Sequence, residues 1–510
     1  MSRELDAFFT AMSHDADGLP AATPDTVRRL GRRRRRRATV IAAVTVFFLV
    51  GTVAVAIGAG LPKGPPRPAV TPSAVAPSGT STAAVAPTTF QKLAPVGATI
   101  SLANSQSPPR FGTVVTAGDR AFVCWQSESG QTNVVAVDLS TGRVAWGPVH
   151  VADFDDTAAV YWHPRYVVVM GRNDNGSRPD GAVFALDPGT GKVLLDVDVD
   201  NFEADDLVLG GSTLVIASRP DGKTRGYDLA TGRVSWTVPD PASRIVQSLA
   251  VQTAAGSPPE SQRGGLGGPP VATDRFVQFT ADGTAILRDL ATGAETARRP
   301  GAVGAVDPED NGQTQDEALA VDGVLYSIDR NRRNVVRAAD LSGQGAASNL
   351  YTAESGVQLG RLLWCGPAQI CVGEHREPDI DGIAGLDTGT HKVRWRQDGF
   401  VTRMQVVDGQ VLLNLTTRAV DNRSVVIDPA GRPLLSEQAQ AGAAGWIDGN
   451  ALLVLQPRPD SRSTEVSGVS PLSGGPVPLG TVEDARGCGW SRTHLVCVTT
   501  TGITVWRFAA

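Results

Sequence analysis

Apolar and polar residues alternate along most of the chain after residue 100, in short runs that stop at polar turns. Four segments repeat this alternation in the same order: an apolar run, an aspartate, a turn containing glycine and threonine, a basic residue and a second run. The four segments are 134–146, 183–195, 224–236 and 383–395. Two alternating runs separated by a glycine-containing turn predict a β-hairpin. The pattern therefore predicts an array of hairpins.

Fixed positions within the repeat have distinct expected roles. The aspartates that begin the four turns are Asp138, Asp187, Asp228 and Asp387. The position four residues later holds Gly142, Gly191 and Gly232. We expect these glycines to adopt the positive φ that a tight turn needs. The position eight residues after the aspartate holds Trp146, Trp236 and Trp395, and Leu195 in the remaining copy. We predict that each large side chain packs on the next repeat and that the indole N–H groups reach neighbouring carbonyls.

Weaker copies extend the array towards the C-terminus. They begin at Asp289, Asp340, Asp428 and Pro471. Successive copies are spaced by 41 to 61 residues, which fits a four-stranded unit with loops of variable length. The shared pattern, AxDxxTGxxxW, resembles the repeat of the quinoprotein-like β-propellers, the pyrroloquinoline quinone repeat family. The resemblance covers nearly the whole chain after residue 100 and implies an all-β fold, a β-propeller of four-stranded antiparallel blades.

The number of blades is estimated from the count of apolar segments. Nine apolar strand segments can be counted, but propellers typically have four to eight blades. We therefore predict eight blades with one degenerate segment, and seven or nine blades stay open. The last blade lacks an outer strand, which residues 98–102 are expected to supply. Residues 256–270, rich in Gly, Pro and Ser, are expected to form a loop between blades.

An arginine-rich segment precedes a long uncharged segment near the N-terminus. Residues 32–37 are all arginine, and residues 38–61 are 24 residues without a charge. This length is enough for a helix to span a bilayer, and the positive-inside rule keeps the arginines in the cytoplasm. We therefore predict a single-pass protein of the cell membrane with its C-terminal domain extracytoplasmic. Its parts are a cytoplasmic leader (1–37), a transmembrane helix (38–61), a disordered stalk rich in Pro, Ala, Ser and Thr (62–95) and the propeller (96–510).

The apolar segment has a second interpretation as a cleaved signal peptide, because small residues occur at 54–60. It is longer than the usual signal-peptide core of about 7–15 residues, which favours the anchor. The arginine run could also suggest nucleic acid, but its position beside an apolar segment favours lipid headgroups. The chain after residue 37 carries a net charge of about −9, so we expect no nucleic-acid partner.

The five cysteines suggest two disulfides and no metal site. Cys365 and Cys371 flank one predicted hairpin turn, and Cys488 and Cys497 flank another. Folding the hairpins brings each pair within reach of a disulfide, which an extracytoplasmic location would favour. Buried reduced thiols are the alternative. Cys124 has no partner in its preceding strand and is expected to be a buried free thiol.

Metal binding is not expected. The cysteine spacings are not of the short CxxC type, and no histidines cluster beside them. The acidic segment 307–317 begins like a calcium loop, but its twelfth position is Ala318 rather than glutamate. We therefore predict no metal ligands in this chain.

The resemblance raises the question of an enzyme. In the quinoprotein alcohol dehydrogenases, the quinone lies beneath a disulfide between adjacent cysteines, and calcium is held by Glu, Asn and Asp. This chain has no adjacent cysteines, and we find no matching calcium triad. We therefore predict no cofactor, no catalytic residues and no quinone-dependent dehydrogenase activity.

Binding is the favoured function. The propeller subunit of the outer-membrane-protein assembly machinery, which has the same repeat, binds partner proteins, although that subunit is a lipoprotein and here no cysteine precedes Cys124. We predict a noncatalytic scaffold for envelope proteins or glycans. The alternative is a transmembrane sensor whose leader binds a cytoplasmic regulatory protein such as a sigma factor. That leader would contain a short helix with one apolar face formed by Leu5, Phe8, Phe9 and Met12. Alternatively, the leader has no partner and only sets the orientation of the protein in the membrane.

Overall fold

The computed structural model describes residues 88–510 with internal gaps. The gaps are 103–108, 128–129, 155–157, 164, 173–180, 200–205, 219–221, 240–243, 252–270, 304–316, 330–331, 344–345, 377–379, 417–421, 436–442, 459–461 and 471–474. The leader, the predicted transmembrane helix at 38–61 and most of the predicted stalk therefore lie outside the described residues. Within the described part of the chain, no helix is long and apolar enough to cross a membrane.

Across the described residues there are 37 strands, of which all but the two-residue β2 form nine blades, each with four strands in an antiparallel meander. The first strands in the chain are β1 (Phe90–Pro95) and β2 (Ile100–Ser101), which belong to the ninth blade. Blade 1 comprises β3 (Pro109–Ala117), β4 (Arg120–Ser127), β5 (Gln131–Asp138) and β6 (Val144–Asp153). Blade 2 comprises β7 (Ala158–His163), β8 (Tyr166–Arg172), β9 (Gly181–Leu186) and β10 (Val193–Val199). Blade 3 comprises β11 (Asp206–Gly210), β12 (Thr213–Ser218), β13 (Lys223–Asp228) and β14 (Val234–Pro239).

The middle blades follow the same order. Blade 4 comprises β15 (Arg244–Val251), β16 (Val271–Phe279), β17 (Ala285–Asp289) and β18 (Glu295–Arg299). Blade 5 comprises β19 (Ala318–Val321), β20 (Val324–Ile328), β21 (Val335–Asp340) and β22 (Ser348–Thr352). Blade 6 comprises β23 (Val357–Gly366), β24 (Gln369–Arg376), β25 (Ile380–Asp387) and β26 (Val393–Asp398).

The last three blades complete the ring. Blade 7 comprises β27 (Phe400–Val407), β28 (Gln410–Thr416), β29 (Asn422–Ile427) and β30 (Pro433–Leu435). Blade 8 comprises β31 (Ala443–Asp448), β32 (Ala451–Pro457), β33 (Ser463–Val469) and β34 (Val477–Glu483). Blade 9 comprises β35 (Ala485–Trp490), β36 (His494–Thr499), β37 (Gly502–Ala509) and, from the start of the propeller, β1.

The prediction of eight blades is therefore wrong, because the described residues form nine. Each of the nine apolar segments counted in the sequence becomes the second strand of its own blade, from β4 to β36. None of them is degenerate. Nine blades lie outside the usual range of four to eight, although the nine apolar segments of the sequence indicate nine.

The N-terminal strand closes the ring. β1 pairs antiparallel with β37 as the outermost strand of blade 9, and the two-residue β2 pairs with the other part of β37. A closing strand from this region was expected at residues 98–102, but most of it is supplied by Phe90–Pro95. The propeller therefore begins inside the range predicted as stalk, and the boundary at residue 96 is too late.

Burial explains why different strands carry different patterns. β9 in blade 2 is buried at every position, because each middle strand lies between two neighbouring blades. β14, an outer strand, has no buried residue in its pattern of exposed and half-buried positions. A continuous apolar run therefore marks a middle strand such as β9, and a mixture of exposed and half-buried positions marks an outer strand such as β14.

Blades 4 and 5 are joined more closely than the others. Their innermost strands, β15 and β19, pair in parallel through Ser248 with Ala320 and Leu249 with Val321, so the two blades share one eight-stranded sheet.

The predicted insertion at 256–270 lies outside the described residues. Its position in the chain is between β15 and β16, within blade 4, and not between two blades as predicted.

Candidate functional site

The ring has two faces that differ in their connections. The turns between first and second strands, and between third and fourth strands, lie at the same end of each antiparallel blade, here called the turn face. Hydrogen bonds link the two kinds of turn, as in Leu139 N–H to Asp119 O and Leu341 N–H to Gly323 O, both at 2.8 Å. The loops between second and third strands and the connections between blades lie at the other end, the loop face.

The repeat aspartates build the turns of the turn face. Asp187 Oδ1 accepts hydrogen bonds from the N–H groups of Gly189 at 3.0 Å and Thr190 at 2.8 Å, and from the Thr190 hydroxyl at 2.8 Å. The Thr190 hydroxyl is the main reason why the pKa of Asp187 lies below its ordinary value. Equivalent bonds to the backbone N–H three residues later are made by Asp138, Asp228 and Asp387. These carboxylates are committed to Asx-type turns.

The repeat glycines complete the same turns. Their N–H groups donate to the carbonyl of the aspartate four residues earlier. The φ angles are +66° at Gly142, +74° at Gly191 and +68° at Gly232. A residue with a Cβ is disfavoured at this angle, so the glycines serve the backbone and not a ligand.

Trp146 and Trp236 connect their blades to the following ones. Trp146 Nε1 donates to Pro188 O at 2.8 Å, and Trp236 Nε1 donates to Leu290 O at 3.1 Å. Both acceptors lie one residue after a repeat aspartate of the next blade. The Trp146 ring covers Gly191, where an added Cβ would lie 2.5 Å from the indole. Each indole therefore contributes apolar contact and a hydrogen bond between blades.

Trp395 packs in the same place but differs in its hydrogen bonding. An added Cβ would lie 2.3 Å from its ring at Gly385 and 3.3 Å from its ring at Gly431 of the next blade. Its Nε1, however, has no hydrogen-bond partner among the described residues. Arg394 provides the polar link instead, because its Nη1 donates to Pro429 O at 2.9 Å. Arg394 is also bound to Asp387, whose pKa is lowered to about 2, chiefly by the Thr390 backbone N–H.

The small residue opposite each tryptophan belongs to the repeat pattern, but sequence reasoning did not predict its role. Ala136 pairs with Trp146, Gly226 with Trp236 and Gly385 with Trp395 across the third and fourth strands. A larger side chain at this position would occupy the space of the indole ring. The signal was present in the sequence as a small residue two positions before each repeat aspartate.

His391 occupies the turn position that holds glycine in the other clear repeats. Its φ is +60°, and its N–H donates to Asp387 O at 2.9 Å. We expect His391→Gly to stabilise the protein by about 0.5–1 kcal/mol, because glycine adopts this conformation without a Cβ penalty. Denaturant unfolding measures the change. The matched control is Gly191→Ala, which we expect to destabilise the protein, and a destabilising His391→Gly would contradict this explanation.

Both predicted disulfides are present. Cys488 and Cys497 lie directly opposite each other in the hairpin of β35 and β36, with their Cα atoms 4.1 Å apart. Cys365 and Cys371 are bonded with their Cα atoms 5.6 Å apart. This second pair is not directly opposite as expected, because Leu363 is the ladder partner of Cys371 and Cys365 lies at an irregularity of β23.

Cys124 is a free and buried thiol, as predicted. Its exposed fraction is 1%, and this burial raises the pKa of the thiol to about 12. The thiolate is therefore scarce near neutral pH, and Cys124 has the character of an unreactive core residue.

The loop face carries a cleft between blades 5 and 6, which we call the loop-face cleft. It has a volume of about 520 Å³. One wall is the loop after β20, with Arg332, Arg333 and Asn334, and the other is residues 355–358, where the chain enters β23. Val357 is the single apolar residue in this lining. The cleft is therefore polar, positively charged and open to solvent, and no sequence pattern had indicated it.

Blade 7 contains a partly buried arginine side chain, Arg403, near the loop face. Arg403 lies near the start of the innermost strand β27. Its Nε and Nη2 atoms are buried and have no hydrogen-bond partner in the part of the chain that the structure describes. Burial lowers the pKa of Arg403 to about 10. Register places Arg403 on the same side of the sheet as Phe400, which is 60% exposed.

Replacement of Arg403 by methionine is expected to stabilise the propeller by about 1 kcal/mol or more, because an unpaired buried charge is removed while its apolar length is kept. Equilibrium unfolding in urea measures the change. Arg143→Met, at an exposed position of the turn face, is the matched control and should lie within about 0.5 kcal/mol of the parent. A clear loss of stability in Arg403→Met would show that the guanidinium is bound to an acceptor.

Among the residues that the structure describes, no three His, Cys, Asp or Glu side chains group in a way that could hold a metal ion. Most of the acidic segment 307–317 lies outside those residues. The prediction of no metal and no cofactor stays a prediction.

Nine four-stranded blades in a closed ring define this chain as a β-propeller. Residues 131–300 match the family model described as outer membrane protein assembly factor BamB. Within the propeller, residues 131–300 are therefore similar to repeats of the pyrroloquinoline quinone type. No curated protein gives a significant match.

Several solved structures resemble the chain at low identity. BamB from Moraxella catarrhalis is 15% identical, with 82% of this chain and 98% of that chain covered and a TM-score of 0.38. The computationally designed Ika8 protein is 14% identical, with 82% and 99% covered and a TM-score of 0.36. A eukaryotic initiation factor is 11% identical, with 82% and 98% covered and a TM-score of 0.46. These values carry no argument about function.

Proposed function

We propose that this chain is a noncatalytic scaffold, anchored in the cell membrane by residues 38–61, whose extracytoplasmic propeller binds protein or glycan partners at the cell envelope. The observation that carries the proposal is the match of residues 131–300 to a family model named for an outer membrane assembly factor. The uncharged segment after the arginine run supports the anchor. The two disulfides agree with an oxidising compartment.

The geometry of the repeat supports binding rather than catalysis. The repeat aspartates hold turns, and the tryptophans hold neighbouring blades together. Both disulfides join cysteines within single hairpins and not between adjacent residues. If the protein nevertheless uses a quinone, the purified chain should retain pyrroloquinoline quinone in stoichiometric amount after incubation with calcium, as seen by absorbance. That result would contradict a noncatalytic role.

A second candidate function is a transmembrane sensor. The observation that favours it is the sequence spacing of Leu5, Phe8, Phe9 and Met12 in the leader, which predicts one apolar face of a short helix. Such a face would suit a cytoplasmic regulatory protein such as a sigma factor. A pulldown with residues 1–30 distinguishes the two functions. Retention of one regulator, lost when Phe8 and Phe9 are changed to serine, would favour the sensor.

The chain offers a direct test of topology. All five lysines, from Lys63 to Lys392, follow the predicted transmembrane helix, and the leader contains none. A membrane-impermeant amine reagent added to spheroplasts should therefore label the propeller lysines without lysis. Labelling that appears only after lysis would contradict an extracytoplasmic propeller.

A further inference from the structure

The loop-face cleft joins two short segments that are fixed by hydrogen bonds to each other. Leu359 N–H donates to Arg333 O at 2.6 Å, and Ala353 N–H donates to Asn334 O at 2.7 Å. The loop of blade 5 is therefore bound to the connection that enters blade 6. The cleft volume of about 520 Å³ lies within the ~300–1,000 Å³ typical of ligand pockets.

Two adjacent guanidiniums lie at this cleft. Arg332 and Arg333 are both exposed, and among the described residues neither side chain forms a hydrogen bond or an ion pair. Arg376 nearby, the ladder partner of Val357, is different because its Nη2 donates to the buried Glu374 at 3.1 Å. The positive charge of the cleft is thus carried by Arg332 and Arg333, on a chain whose residues after 37 are acidic overall.

The opposite wall adds hydrogen-bond donors. Val357 N–H donates to Glu354 O at 3.1 Å, which closes a turn with Ser355 and Gly356 at its centre. Gly356 has a φ of +84°, and an added Cβ there would meet nothing within 4 Å. The Ser355 hydroxyl has no partner among the described residues. Backbone N–H groups of such a turn, together with arginines, are typical of anion recognition.

We propose that the loop-face cleft binds the carboxylates of an extended acidic peptide segment of a partner protein. Two neighbouring arginines suit carboxylates spaced along one chain, because each guanidinium can donate two parallel hydrogen bonds to a carboxylate. The amides of Asn334 and Gln358 can pair with peptide N–H and C=O groups. The lining contains no aromatic side chain on which a sugar ring could stack, so a peptide fits better than a glycan. This inference rests on the proposed binding function.

The test measures binding of fluorescent peptides to the full chain in detergent at low ionic strength. The probes are an amidated peptide of alternating Gly and Glu, its Gln counterpart, and a Gly-Gln peptide with a free C-terminal carboxylate. We expect the Glu peptide to bind at least about tenfold more tightly than its Gln counterpart and to weaken with added salt. Tight binding of the third peptide would show that the cleft recognises a C-terminal carboxylate of the partner and not its glutamate side chains.

Two double variants make the test specific. Arg332→Gln with Arg333→Gln should weaken binding of the Glu peptide about tenfold. Arg143→Gln with Arg233→Gln removes the same charge from exposed positions of the turn face and should leave binding unchanged. Equal loss in both variants would show attraction by net charge alone and would overturn the proposal.

The result also separates this inference from the proposed function. If the lysines are labelled from outside but neither carboxylate-bearing peptide binds, the cleft assignment fails and the scaffold proposal stands. Binding of a uronic-acid oligosaccharide without any binding of the peptides would overturn the peptide assignment in favour of a glycan.

Discussion

A chain that begins at Gly97 should be less stable than one that begins at Thr88 by roughly 3 kcal/mol or more, because it lacks the closing strand β1. Phe90 packs on Gly468 and Leu93 on Gly480 in blade 8, and both side chains are half-buried in the ring. Loss of these contacts exposes apolar surface to water. The burial of one complete apolar side chain contributes about 1.5–3 kcal/mol to the free energy of unfolding. Blade 9 would also present an unpaired edge at β37.

Urea unfolding followed by tryptophan fluorescence measures the difference between the two chains. A chain from residue 88 that unfolds like the full-length protein is the required control. Equal stability of the two shorter chains would contradict closure by β1, because it would show that the propeller closes without this strand.

Trp490→Ala is expected to cost about 3–5 kcal/mol, one of the largest effects of a single substitution in this chain. The side chain is 1% exposed and packs between blades 8 and 9, where an added Cβ at Gly445 would lie 2.5 Å from its ring. Its Nε1 also donates to Trp446 O at 3.1 Å. Removal of the indole therefore leaves a cavity between two blades.

Trp490→Phe separates the two contributions of this residue. Phenylalanine keeps most of the apolar contact and loses the hydrogen bond, so we expect a cost of about 1–2 kcal/mol. Denaturant midpoints with an unchanged slope would show that only the folded state is affected. A cost below 1 kcal/mol for Trp490→Ala would contradict tight packing between blades 8 and 9.

The local structure of the repeats could be predicted because it depends on residues close in sequence. The aspartate, the glycine four positions later and the large residue eight positions later are all fixed by one hairpin. The disulfide of Cys488 and Cys497 follows from the same hairpin geometry. Cys365 departed from the expected register because β23 contains an irregularity that no residue type signals.

Features that depend on distant residues could not be predicted. β1 pairs with β37 across more than 400 residues, so its position at Phe90 is fixed by how the ring closes and not by its own short pattern. The blade number depends on the same closure. The loop-face cleft is formed by Arg332 and Ser355 from different blades, whose loop sequences have no periodicity that places them together.

Photocrosslinking in living cells from the two faces of the propeller tests binding through the loop face most directly. A photoreactive amino acid replaces Ser355 at the loop-face cleft or Ala230 in an exposed turn of the turn face. We predict a discrete crosslinked protein from position 355 that disappears when Arg332 and Arg333 are changed to glutamine, and no crosslinked protein from position 230. Crosslinks from position 230 alone would contradict binding through the loop face.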